Sequence, residues 1–435
     1  MPVSFKKRQQ KLTFDFLMLS LSEHLARLPD HRRANASYSL ADVLRSAFAM
    51  FSLKSPSLLS FREQTRQERR NLLAIYHIKD IPGDSQRRAT LDLVAPERLR
   101  ALFATLFEAL FTAGVVKEYH YWQGQVIVAL DGVQHFASTQ IHCAHCATRA
   151  HRDGTLSYQH AGLAAVMLHP DHAEVFPLDF EPILNQDGDK KNDCERNAAK
   201  RLCQALFERY PGLAILLVED ALYANAPHLR QITGYGWSYV LNVKPDSHKS
   251  LFQQFAGRQQ SGQVKELRHT DAAGAQHDYA WTSGLCLCAS ATEVKVNFLR
   301  YQQTDKKGVV TTWTWVTNLP LTARTVEKVM RAGRGRWQIE NETFNTLKNQ
   351  GYHFEHNYGH GVNNLATVLA LLMFLAFTVD QIQQRCWEVF RQVRAGLRTK
   401  VKLWDSLRSL FQVRLFRTME ALYRQMASLY EIQLQ

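Results

Sequence analysis

The sequence predicts an α/β fold, in which a mixed sheet is flanked by helices and both ends of the chain are helical. Short apolar, β-branched runs alternate with helical patterns through the middle of the chain. Apolar residues at three- and four-residue spacing fill the region from residue 10 to about 115 and recur in 362–435. With 46% hydrophobic and 21% charged residues, the 435-residue chain has the composition of a globular protein with two or three domains.

The first region has two clear amphipathic helices. They are "SLADVLRSAFAMFSL", which Ser39 begins, and "APERLRALFATLFEALF", which Pro96 begins. The N-terminal stretch "MPVSFKKRQQKLTF" has no apolar segment or cleavage site, so we expect no signal peptide. Seven cysteines without a secretion signal indicate reduced thiols and a cytoplasmic, nucleoid-associated protein.

The middle of the chain changes to strand patterns. "QVIVAL" predicts a buried strand that ends at Asp131, where a turn follows with Gly132. Two more strands, "AGLAAVMLH" and "AEVFPLDF", precede the amphipathic helix "CERNAAKRLCQALFERY". "LAILLVED" is a buried strand ending in Asp220, and "WSYVLNV" continues the series. This order predicts a mixed sheet.

The second half interrupts and then resumes this pattern. Weakly alternating segments predict a β-rich insertion, and "TWTWVTNL" resumes the sheet. The run "ATVLALLMFLAFTV", at 14 residues, is short for a membrane span and predicts a buried core helix. The expected divisions are a helical region 1–118, the two sheet parts 119–243 and 313–361, the insertion 244–312 and a helical region 362–435.

The stretch "GRGRWQIENETFNTLKNQGYHFEH" contains two glutamates within a helical pattern. In a regular helix, with about 100° per residue, Glu340 lies on the apolar face with Trp337, Phe344 and Leu347. Glu342 lies on the opposite, solvated side. A buried carboxylate is costly unless a cation or hydrogen bonds compensate it, so the sequence predicts a function for Glu340. An ion pair between Arg336 and Glu340 on the helix surface is the alternative.

Three carboxylates can converge on one site. Asp131 and Asp220 each end a predicted buried strand, and Glu340 lies on the apolar face of a predicted helix. Functional groups gather at strand ends in mixed α/β sheets, so the three side chains can meet there. Three carboxylates are ligands for Mg²⁺ or Mn²⁺. Two such ions about 4 Å apart can activate a water or a 3′-hydroxyl and stabilise the leaving oxygen in phosphoryl transfer.

The sequence resembles the DDE transposases of bacterial insertion sequences, in an IS-four-type or ISNCY-like branch with a β-rich insertion and a Tyr-Arg-Glu-Lys helix signature. "RWQIENETFNTLK", "VALDG" and "LLVEDALYANAPHL" carry the resemblance, which covers roughly residues 30–385. It implies an RNase H-like catalytic domain with Asp131, Asp220 and Glu340 as the metal-binding catalytic triad. Arg336 and Lys348 would contact phosphates of the transposon end.

The signature is altered at two positions. Gly333 stands where the family has its tyrosine, and Lys348 follows Glu340 by eight residues instead of seven. Leu347 occupies the usual lysine position.

The charge distribution favours a double-stranded DNA partner. The net charge is +13, and the basic excess lies at the ends: 18 basic against 11 acidic residues in 1–110, and 16 against 9 in 321–435. Near the predicted site, further basic candidates for DNA contact are Lys190, Lys191, Lys200 and Arg201. A solvated helix face explains that group equally well.

The predicted function is DNA cleavage and strand transfer at terminal inverted repeats, by a protein that is a homodimer when bound to DNA. An RNase H-like nuclease that cuts without joining is one alternative. A domesticated DNA-binding protein is the other, although the intact triad disfavours it.

The segment "HCAHC" offers a second candidate site. Cys143 and Cys146 have the C-x₂-C spacing of zinc ligands, and Cys194 is the candidate third ligand. Reduced cysteines in a loop are the alternative, because one such pair without a second is a weak signal.

Overall fold

The computed structural model describes residues 9, 11–32, 36–62, 66–188 and 191–435. Within these residues, seven helices precede the sheet, in the region where the apolar spacing predicts helices. Ser39 begins α2, where its hydroxyl oxygen accepts the backbone N–H of Asp42 at 3.0 Å, and Pro96 is the first residue of α6. The seven are α1 (Phe14–Ala26), α2 (Leu40–Ser52), α3 (Leu58–Arg62), α4 (Arg66–Tyr76), α5 (Asp84–Asp92), α6 (Pro96–Thr112) and α7 (Val115–Glu118).

The sheet has eleven strands within the described residues. Its first part consists of β1 (His120–Trp122), β2 (Gln125–Ser138), β3 (Ala147–Ala150), β4 (Leu156–Leu168), β5 (Phe176–Ile183), β6 (Ile215–Glu219) and β7 (Ser238–Asn242). The helices α8 (Lys191–Arg209) and α9 (Ala226–Gly234) connect β5 to β6 and β6 to β7.

Strand pairing makes this a mixed sheet. β4 lies antiparallel between β2 and β5, whereas β2, β6 and β7 run parallel to one another. The order β5–β4–β2–β6–β7, with helices in the crossovers, is consistent with an RNase H-like transposase fold. The predicted fold class is therefore confirmed.

The insertion extends the same sheet beyond β7. It starts with a helix, α10 (Lys249–Gln260), which the weak periodicity of this region did not reveal, and continues with β8 (Lys265–Thr270), β9 (Gln276–Cys288), β10 (Ala291–Thr304) and β11 (Val310–Thr317). Because β11 pairs with β7, the strands β11, β10, β9 and β8 add to the sheet in that order.

The chain then returns through helices to the side of the sheet. These are α11 (Val326–Gly335), a π-helical segment (Ile339–Asn345), α12 (Thr346–Asn349), α13 (Leu365–Cys386), α14 (Glu388–Gly396), α15 (Lys400–Val413) and α16 (Met419–Leu429). The helix α13 is long and apolar enough to cross a membrane, but it is buried inside the protein, where it packs against α2 and α6. It is the core helix that the sequence predicts.

Two local predictions are wrong. β2 does not end at Asp131 but continues to Ser138, because the second half of the strand keeps its pairing with β4. The stretch around Glu340 is not one regular α-helix, since α11 ends at Gly335 and a π-helical segment follows.

Candidate active site

Strand register brings Asp131 and Asp220 to neighbouring positions. β2 and β6 pair in parallel, with Ala129 opposite Val218. Asp131 in β2 and Asp220, which directly follows β6, each lie two residues beyond that pair, and the charge of Asp220 acts on Asp131. Neighbouring strands are separated by about 4.8 Å. Two carboxylates that are 89 positions apart in the sequence therefore lie at one point of the sheet.

Arg336 links the third carboxylate, that of Glu340, to Asp131. The guanidinium Nη1 of Arg336 donates to Oδ2 of Asp131 at 3.0 Å. Its Nη2 lies 2.7 Å from Oε1 of Glu340. One arginine thus forms ion pairs with two of the three predicted triad residues. The i,i+4 ion pair between Arg336 and Glu340, which was the alternative explanation for Glu340, is therefore present. The same arginine also links Glu340 to Asp131.

The electrostatics of Asp131 reflect this crowding. The pKa of Asp131 is raised to about 7: burial is the largest cause, Arg336 opposes the shift, and the negative charges of Glu340 and Asp220 add to it. Carboxylates that destabilise one another's charged forms in this way are typical of functional sites. A divalent cation would stabilise all three charges, and carboxylate oxygens are its preferred ligands. The donor set therefore fits Mg²⁺ or Mn²⁺.

The surroundings of the two glutamates differ from those predicted. The Glu340 side chain is 51% exposed and Trp337 is 49% exposed, so neither lies in a buried stripe. Glu342, predicted to be solvated, is half-buried. Burial lowers the pKa of Lys400 in α15, and the negative charge of Glu342 acts against that shift, so the two side chains interact electrostatically. Glu340 and Glu342 thus face different partners, and Glu340 belongs to the carboxylate group for a reason other than burial.

Glu195 is a further acidic residue near the site that sequence reasoning missed. A Cβ added at Gly132 would lie 3.3 Å from Oε1 of Glu195, so this carboxylate lies against the backbone next to Asp131. The hydroxyl of Tyr223 donates to the same oxygen at 2.8 Å. Burial raises the pKa of Tyr223 and the Glu195 charge adds to the shift, which keeps the donor protonated. No sequence spacing links Glu195 to Asp131, since they belong to different elements.

The basic candidates have varied surroundings. Lys200 is exposed, and its ammonium donates to Oδ1 of Asn197 at 3.0 Å. Arg201 pairs with Glu181 at 2.6 Å. Lys348 pairs with Glu355 at 2.9 Å. Lys190 lies outside the described residues, and Lys191 begins α8.

The structure explains why glycine replaces the signature tyrosine at position 333. A Cβ added at Gly333 would lie 2.6 Å from Nε1 of Trp315, whose ring is 1% exposed. The tryptophan of β11 fills the space beside α11. No side chain can be accommodated at position 333 without displacing it, so the tyrosine contact of the family has no counterpart at this position.

The predicted zinc ligands are only partly brought together. Sγ of Cys143 and Sγ of Cys146 lie 3.9 Å apart, as the C-x₂-C spacing predicts. Cys194 is not in their group, and its sulfur faces the backbone oxygen of Gly188 at 3.4 Å. His160 and His360 join the two cysteines instead. Both histidines are distant in sequence from "HCAHC", and spacing gave no signal for them.

A family-model comparison covers part of the chain. Residues 167–378 match the family model described as "Transposase DDE domain". This range includes Asp220 and Glu340 and begins after Asp131. Among solved structures, the chain is similar to the cryo-EM structure of a piggyBac transposase synaptic complex with hairpin DNA. The identity is 9% and the TM-score 0.40, over 97% of this chain and 80% of that one. No curated protein sequence matches the chain.

Proposed function

We propose that this chain, whose residues 167–378 match the transposase DDE domain family, is the DNA transposase of a bacterial insertion sequence. It binds the terminal inverted repeats of its element, cleaves a phosphodiester to free a 3′-hydroxyl, and joins that hydroxyl to target DNA. The observation that carries the proposal is the convergence of Asp131, Asp220 and Glu340, which come from three separate elements.

In this proposal the three carboxylates hold two divalent metal ions, Mg²⁺ or Mn²⁺. When bound, these ions activate the attacking water or hydroxyl and stabilise the leaving oxygen. Asp131 lies within β2 and Asp220 directly follows β6. The backbone N–H of Leu222 donates to Oδ1 of Asp220 at 2.8 Å, which orients that carboxylate. Glu340 is on a helical segment and has the most exposed of the three side chains.

Arg336 holds the group together in this proposal. Its guanidinium neutralises Asp131 and Glu340, which would otherwise repel each other. Guanidinium groups bind phosphates as well as carboxylates, so Arg336 can also contact a DNA phosphate beside the reacting bond. The exposure of Glu340 and Trp337 supports a site that is open to a duplex.

The proposed DNA contacts extend from the site to the basic ends of the chain. Lys348, Lys190, Lys191, Lys200 and Arg201 are the proposed phosphate contacts near the site. Because two transposon ends must be joined together, we propose that the DNA-bound form is a homodimer. The helical regions 1–118 and 362–435 would hold DNA and the second protomer, in a cytoplasmic protein of the IS-four-type branch.

The test replaces each proposed ligand. The DNA that flanks the gene supplies the terminal repeats for labelled substrate duplexes. Asp131→Ala, Asp220→Ala and Glu340→Ala should each reduce cleavage about a thousand-fold or more, which corresponds to about 4 kcal/mol of lost transition-state stabilisation. Binding to the same duplex should remain.

Glu342→Ala is the matched control, since the charge of Glu342 acts on Lys400, whereas Arg336 links Glu340 to Asp131. Its cleavage rate should stay within a few-fold of the wild type. Loss of activity in Glu342→Ala together with an active Glu340→Ala would refute the proposed triad. Cleavage without joining, measured in a strand-transfer assay with the freed 3′-hydroxyl, would favour an RNase H-like nuclease. Binding without cleavage by the wild type would favour a domesticated DNA-binding protein.

A further inference from the structure

A second cluster of ligand side chains lies apart from the carboxylates. It consists of Cys143, Cys146, His160 and His360, whose ligand atoms all lie within 4.8 Å of one another. Among the described residues it is the one group of three or more Cys, His, Asp or Glu side chains with this compactness. We propose that these four residues bind a structural zinc ion that fastens the segment before α13 to the sheet.

The distances match a tetrahedron of two sulfurs and two nitrogens. With Zn–S near 2.3 Å and Zn–N near 2.0–2.1 Å, ligand atoms are separated by about 3.8 Å for S–S, about 3.6 Å for S–N and about 3.3 Å for N–N. The Sγ atoms of Cys143 and Cys146 are 3.9 Å apart. From Nε2 of His160, these sulfurs lie at 3.5 and 3.4 Å. Nε2 of His360 lies 3.2 Å from Sγ of Cys146 and 3.1 Å from Nε2 of His160.

Hydrogen bonding around the cluster prepares the ligands. Nδ1–H of His360 donates to the carbonyl oxygen of Gly361 at 2.6 Å, which leaves the lone pair of Nε2 directed at the cluster. Metal-bound histidines are commonly oriented by such a bond. The backbone N–H of Cys146 donates to the carbonyl oxygen of Cys143 at 3.2 Å, forming a tight turn that brings both sulfurs to one side.

Without a metal ion, the side chains of the cluster would have only weak polar partners. The two sulfurs are too far apart for a disulfide, which requires about 2.05 Å. Thiols are weak donors and acceptors. Cys146, His160 and His360 are buried, and buried polar groups are costly without strong partners. Two cysteines and two histidines are ligands that select zinc, unlike the carboxylates of the proposed active site, which suit Mg²⁺ or Mn²⁺.

The position of the cluster gives the ion a structural role. Cys143 and Cys146 lie in the loop after β2, and His160 lies on β4. His360 lies just before α13, in the segment that follows the π-helical segment and α12. The ring of Phe136 lies 4.5 Å from that of His360 and closes one side of the cluster. Zinc would therefore join two parts of the chain that are 200 residues apart, and all four ligand positions are filled, so no site remains for a reacting water.

The test is zinc content. Full-length protein, expressed in zinc-supplemented medium and purified without chelators or a metal-affinity tag, should contain about one zinc per chain by plasma mass spectrometry. Cys143→Ser, His160→Gln and His360→Gln should lose most of it. Cys194→Ser and Asp131→Ala are the controls, and both should keep zinc. Loss of zinc in Cys194→Ser would overturn this ligand set.

A second measurement tests the proposal even if these variants fail to fold. Wild-type protein prepared with Co²⁺ should show the visible absorption of tetrahedral, thiolate-bound cobalt, and His360→Cys should keep the metal while shifting that spectrum. A folded wild-type chain without zinc, or ligand variants with as much zinc as the wild type, would refute the proposal. These readouts do not depend on DNA cleavage, so they are independent of the proposed catalytic activity.

Discussion

Asp92 holds the start of the central helix α13 and provides the sharpest stability prediction. It is the last residue of α5, and its two carboxylate oxygens face the N-terminal turn of α13. The first N–H groups of a helix have no partners within the helix. The backbone groups that donate to Asp92 belong to Val362 (3.0 Å), Asn363 (3.0 Å), Asn364 (3.0 Å) and Leu365 (2.9 Å).

The cost of Asp92→Ala follows from these four bonds. A hydrogen bond to a charged group contributes about 1.5–3 kcal/mol, and losing a helix cap costs up to about 2 kcal/mol. Because the bonds share one carboxylate they are not additive. We expect Asp92→Ala to reduce the free energy of unfolding by about 3–5 kcal/mol. Asp92→Asn keeps one acceptor oxygen and should cost about half as much.

The same contacts predict the response to acid. Burial tends to raise the pKa of Asp92, but the hydrogen bonds from Val362, Leu365 and Asn363 outweigh it and lower the pKa below its ordinary 3.8. A lowered native pKa means that the unfolded state binds the proton more readily. The contribution of Asp92 is therefore complete above the ordinary pKa and is lost as the pH falls through the native value.

Urea denaturation, followed by circular dichroism at neutral and acidic pH, measures both effects. The difference between wild type and Asp92→Ala should be large at neutral pH and should shrink towards the acid end. Asp246→Asn, in an exposed loop, is the control and should change the unfolding midpoint little. If Asp92→Ala reduces the free energy of unfolding by less than about 1 kcal/mol at neutral pH, water or other groups accept the hydrogen bonds of these backbone N–H groups equally well.

Two further predictions concern the altered positions of the helix signature. Gly333→Ala should reduce the free energy of unfolding by about 1–3 kcal/mol, because the added methyl group meets the buried ring of Trp315. Gly234→Ala is the control, since a methyl group there has open space around it. Equal unfolding midpoints for the two variants would contradict this packing. Lys348→Ala should weaken binding to transposon ends, with Lys348→Arg intermediate, in a gel-shift titration. Glu355→Ala, which removes the ion-pair partner of Lys348, should leave binding equal or stronger; weaker binding would mean that the pair and not the free lysine contacts DNA.

Local sequence patterns predicted most of the sheet. Apolar runs identified β2, β4, β5, β6 and β7, because buried strands must be continuously apolar where helices cover both faces. The position of Asp220 directly after β6 is also as predicted. The Asp-Gly turn signal predicts a strand end at Asp131, but pairing with β4 keeps the strand extended through it. Tertiary pairing thus overrode a local signal.

The partners of the second cluster could not be predicted from spacing. C-x₂-C identified Cys143 and Cys146, since a tight turn brings such a pair together in any fold. His160 and His360 depend on the pairing of β2 with β4 and on the return of the chain before α13. Cys194, the candidate third ligand, instead has its sulfur against the backbone oxygen of Gly188. Contacts of this kind are properties of the fold and not of a motif.

The π-helical segment accounts for the extra residue between Glu340 and Lys348. A π-helical turn closes its hydrogen bond over five residues instead of four, so it holds one residue more than an α-helical turn. Ile339–Asn345 spans the first part of that interval. In a regular helix Leu347 would share the side of Glu340, but Leu347 is fully buried while the Lys348 and Glu340 side chains are 33% and 51% exposed. The wider turn therefore returns the lysine to the side of the glutamate, which supports the proposed phosphate contact. A signature search with a fixed spacing of seven would miss any chain in which a π-helical turn absorbs the insertion.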